Sequence, residues 1–239
     1  MALIEIDSLR KVYGNEGTET LALKDISFHI EKGEFVAIMG PSGSGKSTLL
    51  HILGFLDNPT GGSYIFDGKE MATYGPEEIA HVRNRKMGFV FQAFNLLART
   101  SVLENVKLPL LYSTVPQSEW QSLAERAIEA VGMSHRMHHN PAQLSGGEKQ
   151  RAAIARALVL DPEVIFADEP TGNLDSRSGQ MVMETIQNLN EAHGHTVILV
   201  THETYTAEHA RRIICLKDGG IESDEKVGAR HQAKDQFQK

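Results

Sequence analysis

The sequence predicts an α/β fold: a parallel sheet covered on both faces, with a helical segment inserted. Three observations carry this. Residues 40–47 read Gly40-Pro41-Ser42-Gly43-Ser44-Gly45-Lys46-Ser47, the G-x-x-x-x-G-K-[ST] pattern of a phosphate-binding loop between an apolar run and a helical run. The runs Phe35-Val36-Ala37-Ile38-Met39, Val164-Ile165-Phe166-Ala167 and Thr196-Val197-Ile198-Leu199-Val200 are apolar without alternation, as strands buried on both faces must be. Residues 95–160 show few β-rich runs and a helical period at Trp120, Leu123, Ala124, Ala127, Ile128 and Val131.

Composition narrows the class. The 239 residues are 41% hydrophobic and 23% charged, an ordinary globular balance with length for one large domain or two closely joined subdomains. A formal net charge of −7 argues against nucleic-acid binding through a general basic surface. The one cysteine, Cys215, lies in Ile213-Ile214-Cys215-Leu216 and reads as a small core residue; no internal disulfide can form. No stretch approaches the ~20 apolar residues that span a bilayer. The start, Met1-Ala2-Leu3-Ile4-Glu5-Ile6, lacks the basic region and long apolar core of a signal peptide. The chain is expected in the cytoplasm, with any membrane association through a partner.

Taken in order, residues 2–8 alternate apolar and polar and predict an edge strand. Residues 23–30 alternate again, and Glu31-Lys32-Gly33-Glu34 turns the chain into the run at 35–39. After the loop, Thr48-Leu49-Leu50-His51-Ile52-Leu53 opens a helix. Asp57-Asn58-Pro59-Thr60-Gly61-Gly62 breaks the chain, and Ser63-Tyr64-Ile65-Phe66 with Asp67-Gly68 reads as a strand and turn. Pro76-Glu77-Glu78 begins a helix, with proline early and acids in the first turn. Gly88-Phe89-Val90-Phe91-Gln92 is a buried strand ending on a polar side chain. Past the helical segment, the strand at 164–167 runs into Asp168-Glu169, a helix covers 179–192, and the strand at 196–200 ends at Thr201-His202. Residues 223–239 are polar and of mixed charge, a mobile tail.

The loop's spacing has a chemical reason. Gly40, Gly43 and Gly45 admit positive φ and close backbone approach. Successive N–H groups then form a nest for anionic oxygens, and the following helix adds the positive end of its dipole. Lys46 reaches the β- and γ-phosphates of a nucleotide, and the Ser47 hydroxyl can ligate Mg²⁺. Pro41, Ser42, Ser44 and Thr48 complete the cradle. Asp168, ending an apolar strand, is placed to hold Mg²⁺, and the adjacent Glu169 to polarise an attacking water. Ser145-Gly146-Gly147-Glu148 opens another helix, with Ser145 as N-cap and Glu148 completing a capping box. That structural reading is sufficient in itself. The same N–H groups and dipole also make an anion site. One nucleotide needs one such site, so the second points to a dimer sharing nucleotides across its interface.

Over residues 2–222 these motifs resemble the ATPase subunits of ATP-binding-cassette (ABC) transporters. The resemblance implies a phosphate-loop NTPase with a RecA-like core, an N-terminal antiparallel β subdomain and an inserted helical subdomain at about 95–160, all one domain over 1–222, then the tail. Lys46 lies in the Walker A motif, Leu144-Ser145-Gly146-Gly147-Glu148 is the signature motif, and Asp168 closes Walker B. By resemblance, Tyr13 stacks on adenine, Gln92 senses Mg²⁺ and contacts the membrane partner, Glu169 is the catalytic base, and His202 holds the γ-phosphate. Lys46 and Gln92 join Glu169 and His202 in catalysis, and Ser47, Gln92 and Asp168 are the implied metal ligands. Asp175 belongs to the D-loop Asn173-Leu174-Asp175, which commonly reads S-A-L-D. Ser145, Gly146, Gly147 and Glu148 serve the site of the opposite protomer.

The implied cofactors are ATP and Mg²⁺. The implied partners are a second copy of the chain when ATP is bound and a separate transmembrane permease subunit, with no nucleic acid and no membrane span of its own. That subunit's coupling helix is expected in a groove lined from Phe94-Asn95-Leu96 to Leu108, on the inner face of the cell membrane. The finer resemblance is to lipoprotein-release, macrolide-export and related peptide-export ATPases and the cell-division ATPase. It rests on Gly88-Phe89-Val90-Phe91-Gln92, Phe94-Asn95-Leu96 and Glu169-Pro170-Thr171-Gly172-Asn173-Leu174-Asp175-Ser176. Two rival functions stay open: a regulator that signals through a membrane partner without transport, and a soluble ABC ATPase acting on DNA or ribosomes. The second usually carries coiled-coil insertions or two cassettes. The run Ser134-His135-Arg136-Met137-His138-His139 imitates a metal site, but no cysteine or nearby acid completes a ligand set. His29 and His51 read as structural.

Overall fold

The computed structural model describes residues 2–14, 19–228 and 230–231. The N-terminal half runs β1 (Ala2–Tyr13), β2 (Thr20–Glu31), β3 (Phe35–Met39), α1 (Lys46–Leu53), β4 (Gly61–Phe66), β5 (Lys69–Glu70), α2 (Pro76–Lys86) and β6 (Met87–Phe91). Then follow α3 (Val102–Lys107), α4 (Gln117–Ala130), α5 (Gly146–Leu158), β7 (Val164–Asp168), α6 (Ser176–Glu191), β8 (Thr196–Thr201), α7 (Thr204–Ala207), β9 (Arg212–Lys217) and β10 (Gly220–Lys226).

The strands fall into two sheets. One is antiparallel in the order β2-β1-β4-β5; the other follows β10-β9-β3-β8-β7-β6, parallel except for β10. β1 is therefore internal, not the expected edge: β2 pairs one side and β4 the other, with Ile4 opposite Phe66 and Ile6 opposite Tyr64. Alternation reports one buried face and says nothing about which edges are paired.

The parallel sheet explains its unbroken apolar runs. Val36, Ile38, Phe166 and Ile198 point into a core shared with α1 and the antiparallel sheet. Phe35, Ala37, Ile165 and Val197 point the other way, into a core with α4, α5 and α6. Residues of opposite parity thus reach opposite layers, and both must be apolar. The helical segment shares this second core: Ile128, Ala152 and Ile154 pack in one cluster with Val90, Ile165 and Val197. Its helices are joined through 3₁₀ turns at Leu108–Tyr112, Ser134–Arg136 and Pro141–Gln143.

Two boundaries differ from expectation. α6 starts at Ser176, not 179, because Asp175 caps it: its Oδ1 accepts from the Ser178 N–H at 3.0 Å. The polar stretch from 223 begins as strand. Ser223, Asp224, Glu225 and Lys226 pair with β9, and Asp224 forms an ion pair with Arg212. An edge strand with an exposed face needs no apolar pattern, so the sequence concealed it. His231 then returns to the body, its main-chain oxygen accepting from Gln187 Nε2 at 2.9 Å and its ring stacked on Tyr205. The expected tail at 232–239, and Met1, lie outside the described residues. Among the described residues no helix is long and apolar enough to cross a membrane.

Candidate functional site

The phosphate-type loop leaves the carboxyl end of β3, between β8 and β9. Two glycines make its path possible. At Gly40 (φ +153°) a Cβ would sit 2.2 Å from the Leu216 carbonyl oxygen, and at Gly45 (φ +101°) 2.7 Å from that of Ala22. Gly45 also caps α1 without any side-chain bond, which leaves the helix's first N–H groups to face outward. Lys46 folds back and donates from Nζ to the carbonyls of Gly40 (2.7 Å) and Pro41 (2.9 Å). The ammonium is thereby held over the loop while its residue is 9% exposed. Ser44 Oγ is buried and has no hydrogen-bond partner among the described residues.

A cavity of about 360 Å³ opens here, lined by Gly43, Gly45, Lys46, Ser47 and Thr48. Its other wall is Thr20, Leu21, Ala22 and Lys24 of β2 with Asp218-Gly219. The sequence reading missed this wall. The Lys24 N–H bonds the Gly219 carbonyl at 2.8 Å, so the two segments meet only in the fold, and neither carries a motif. Pro41 and Ser42 are exposed at the loop's tip. Tyr13 lies opposite Thr20 in the β1–β2 ladder, and its hydroxyl donates to Asp57 Oδ2 at 2.7 Å. Burial and the Asp57 carboxylate push the phenol's pKa up, with Thr48 opposing. Lys11 Nζ stands 4.8 Å from its ring centroid.

Asp168 and Glu169 leave β7 beside the end of β8, with Asp168 opposite Val200. Burial, and then the adjacent Glu169, raise the Asp168 pKa; the charges of His51 and Lys46 pull it back. His51 and His29 are exposed. Glu169 sits at φ +46°, left-handed for a residue with a side chain. Its Oε2 accepts from Thr201 Oγ1 at 3.2 Å, and its Oε1 lies 2.7 Å from His202 Nδ1. A carboxylate only accepts, so Nδ1 carries the proton and Nε2 faces away from the pair.

Gln92 follows β6, whose last residue Phe91 is opposite Asp168, so all three strand ends converge. Its amide lies against Gly172 and Asn173: Gln92 Nε2 donates to Asn173 Oδ1 at 3.3 Å, and Asn173 Nδ2 donates to the Gln92 carbonyl at 3.1 Å. Two and three residues on, Phe94 and Asn95 both have positive φ, and Arg156 donates to both carbonyls.

Ser145 caps α5 as expected. Its N–H donates to Glu148 Oε2 at 2.8 Å and its Oγ accepts from the Glu148 N–H at 3.3 Å. Arg136 Nε donates to Glu148 Oε1 at 2.9 Å and Arg136 Nη1 lies 3.2 Å from His139 Nε2. The His-rich run is thus a brace for this helix start. Gly146 packs on Leu174 and Gly147 on Ser178, where a Cβ would come within 3.1 and 2.9 Å. None of 145–148 lines the cavity at Lys46. The chain brings Lys46, Asp168, Glu169, His202 and Gln92 to one end of the sheet and keeps the Ser145 helix start apart from the loop's cavity. Asp175, which caps α6, accepts from Ser178 N–H and Oγ, and both hold its pKa down.

The expected groove is also rearranged. A cavity of about 300 Å³ is lined by Arg83, Asn84, Phe89, Phe91, Pro109 and Arg156, among others. Phe94 and Leu96 instead pack against the second core. Leu97, Leu111 and Tyr112 are exposed.

A phosphate loop at the end of a parallel strand, a histidine just past the adjoining strand and two acids at the end of the strand beyond it define a phosphate-loop hydrolase. Residues 23–172 match the family model described as ABC transporter. The chain is 48% identical over 226 residues to an uncharacterized ABC transporter ATP-binding protein of Thermotoga maritima, covering 95% of this chain and 96% of that one. It is 50% identical to YknY, an uncharacterized ABC transporter ATP-binding protein of Bacillus subtilis, covering 92% and 95%. It is 50% identical to the macrolide export ATP-binding/permease protein MacB of Bdellovibrio bacteriovorus, covering 95% of this chain and spanning 34% of that protein. The dimeric ATP-binding cassette MJ0796, solved in a post-hydrolysis state with ADP and Pi, superposes with a TM-score of 0.85 at 42% identity, covering 95% and 99%. The chain belongs to the ABC transporter family. It is one of that family's ATP-binding cassettes, an ATP hydrolase.

Proposed function

We propose that this cassette closes as a homodimer around two Mg·ATP and so drives a separate transmembrane subunit from the inner face of the cell membrane. One observation carries the reading: a single chain has two glycine-rich helix starts, at Lys46 and at Ser145, and they do not share a cavity. A second copy supplies the missing half to each. The dimeric MJ0796 cassette supports this, and the permease part of MacB supports a membrane partner.

The residues then divide the work. Lys46 and the loop amides neutralise charge on the transferring phosphoryl group. Glu169, oriented by Thr201 and His202, takes the proton of the attacking water, and His202, with a proton on Nε2 as well as Nδ1, donates from Nε2 to the γ-phosphate. Ser145 and the Gly146 and Gly147 amides reach the same phosphate from the partner. Tyr13 offers its ring to the adenine. The donor set also fits a hard dication: Ser47, Asp168 and Gln92 all offer oxygen, and the burial and adjacent Glu169 that raise the Asp168 pKa would both be offset by a bound cation. Mg²⁺ bound there would neutralise charge on the phosphates.

The test separates capping from catalysis. Ser145→Arg should fold, bind ATP and lose hydrolysis, because the bulky cation occupies the partner's γ-phosphate position. As a cap alone, Ser145 would be worth about 1 kcal/mol of stability and little in turnover. A folded, ATP-binding Ser145→Arg protein with the wild-type rate overturns the shared site. The permease partner is tested separately: co-purification from native membranes should recover a protein with transmembrane helices. It should dock at the cavity by Phe89, Phe91, Pro109 and Arg156, beside the exposed Leu111 and Tyr112. Recovery of nucleic acid in its place would favour the soluble alternative.

A further inference from the structure

The bonds between Gln92 and Asn173 fix which way the Gln92 amide faces. Asn173 Nδ2 donates to the Gln92 main-chain oxygen at 3.1 Å. A carbonyl oxygen only accepts, so the Asn173 amino group must face it, and Oδ1 is left toward the Gln92 side chain. That oxygen also only accepts, so Gln92 must present its NH₂, as it does at 3.3 Å. Flipping the Gln92 amide would set two oxygens face to face. Gly172 makes room for this arrangement, since a Cβ there would lie 2.7 Å from Gln92 Nε2 and 3.1 Å from Gln92 Cδ. With its NH₂ engaged, Gln92 keeps Oε1 as the only side-chain atom able to ligate a hard cation.

We infer that Asn173 is a positioning residue for Gln92, holding its amide so that Oε1 is presented to the divalent cation bound with nucleotide. This rests on the metal role of Gln92 proposed above. Asn173 makes both of these side-chain bonds to Gln92, and so acts through Gln92. It replaces the alanine of the S-A-L-D pattern, and an alanine could make neither bond. Partners that orient a metal ligand are typically worth about 10- to 100-fold in metal affinity.

The experiment measures Mn²⁺ binding by electron paramagnetic resonance, with a non-hydrolysable ATP analogue present, in four proteins: the wild type, Gln92→Ala, Asn173→Ala and the double variant. Asn173 is exposed, so its truncation leaves the core untouched, and the analogue affinity of Asn173→Ala in EDTA should stay at the wild-type value. Asn173→Ala should weaken Mn²⁺ binding roughly tenfold, and the double variant should be no weaker than Gln92→Ala alone. Wild-type Mn²⁺ affinity in Asn173→Ala, with Gln92→Ala impaired, overturns the inference while sparing the role of Gln92. Losses that add in the double variant also overturn it, because Asn173 would then act independently of Gln92. Unchanged Mn²⁺ affinity in Gln92→Ala removes the metal role itself and the inference with it.

Discussion

Replacing Glu169 by glutamine should lower ATP hydrolysis by about two to four orders of magnitude, the usual worth of a positioned general base, while ATP binding survives. Glutamine keeps the length of the side chain and can occupy the same left-handed backbone at φ +46°. Its amide oxygen can still accept from Thr201 Oγ1. What it cannot do is take a proton from water. At the other carboxylate oxygen the change reverses a bond: the amide NH₂ donates, so His202 Nδ1 must accept and the ring's proton moves to Nε2. A protein that binds ATP and cannot split it should accumulate as a closed dimer. Light scattering with Mg·ATP should report twice the protomer mass, and phosphate release should report the lost turnover. Wild-type turnover in Glu169→Gln would remove Glu169 from its role.

Lys46→Ala should abolish hydrolysis and weaken ATP binding by roughly ten- to a hundredfold, the worth of one charge-assisted hydrogen bond at ~1.5–3 kcal/mol. Two effects combine. The charge aimed at the β- and γ-phosphates disappears. The carbonyls of Gly40 and Pro41 also lose the donor that holds them turned in beneath the loop. Calorimetric titration with ATP and a phosphate-release assay measure the two losses separately. Unchanged affinity and turnover together would contradict the phosphate-loop assignment.

The sequence by itself determined the class of this protein, because its chemistry is local. A phosphate nest is built by eight consecutive residues, with glycines where the backbone must turn and a lysine five and six residues beyond the carbonyls it holds. The fully buried parallel strands were legible for a related reason: with a layer on each face, every position of Val36 to Ile38 or Val164 to Ala167 must be apolar. The cap at Ser145 follows from residues three apart and was legible too.

Tertiary structure decided what depends on contacts distant in the chain. Alternation in residues 2–8 showed one buried face of β1, and only β4 showed that both of its edges are paired. β10 has exposed polar residues and no period to read; pairing to β9 and the Arg212–Asp224 ion pair make it a strand. The wall of Lys24, Asp218 and Gly219 beside Lys46 comes from segments nearly two hundred residues apart in the chain. The amide pair of Gln92 and Asn173 spans 81 residues, and hydrogen-bond direction across it is set by geometry alone. Short-range propensity and spacing are written along the chain; which donor meets which acceptor across the fold is settled only when the layers pack.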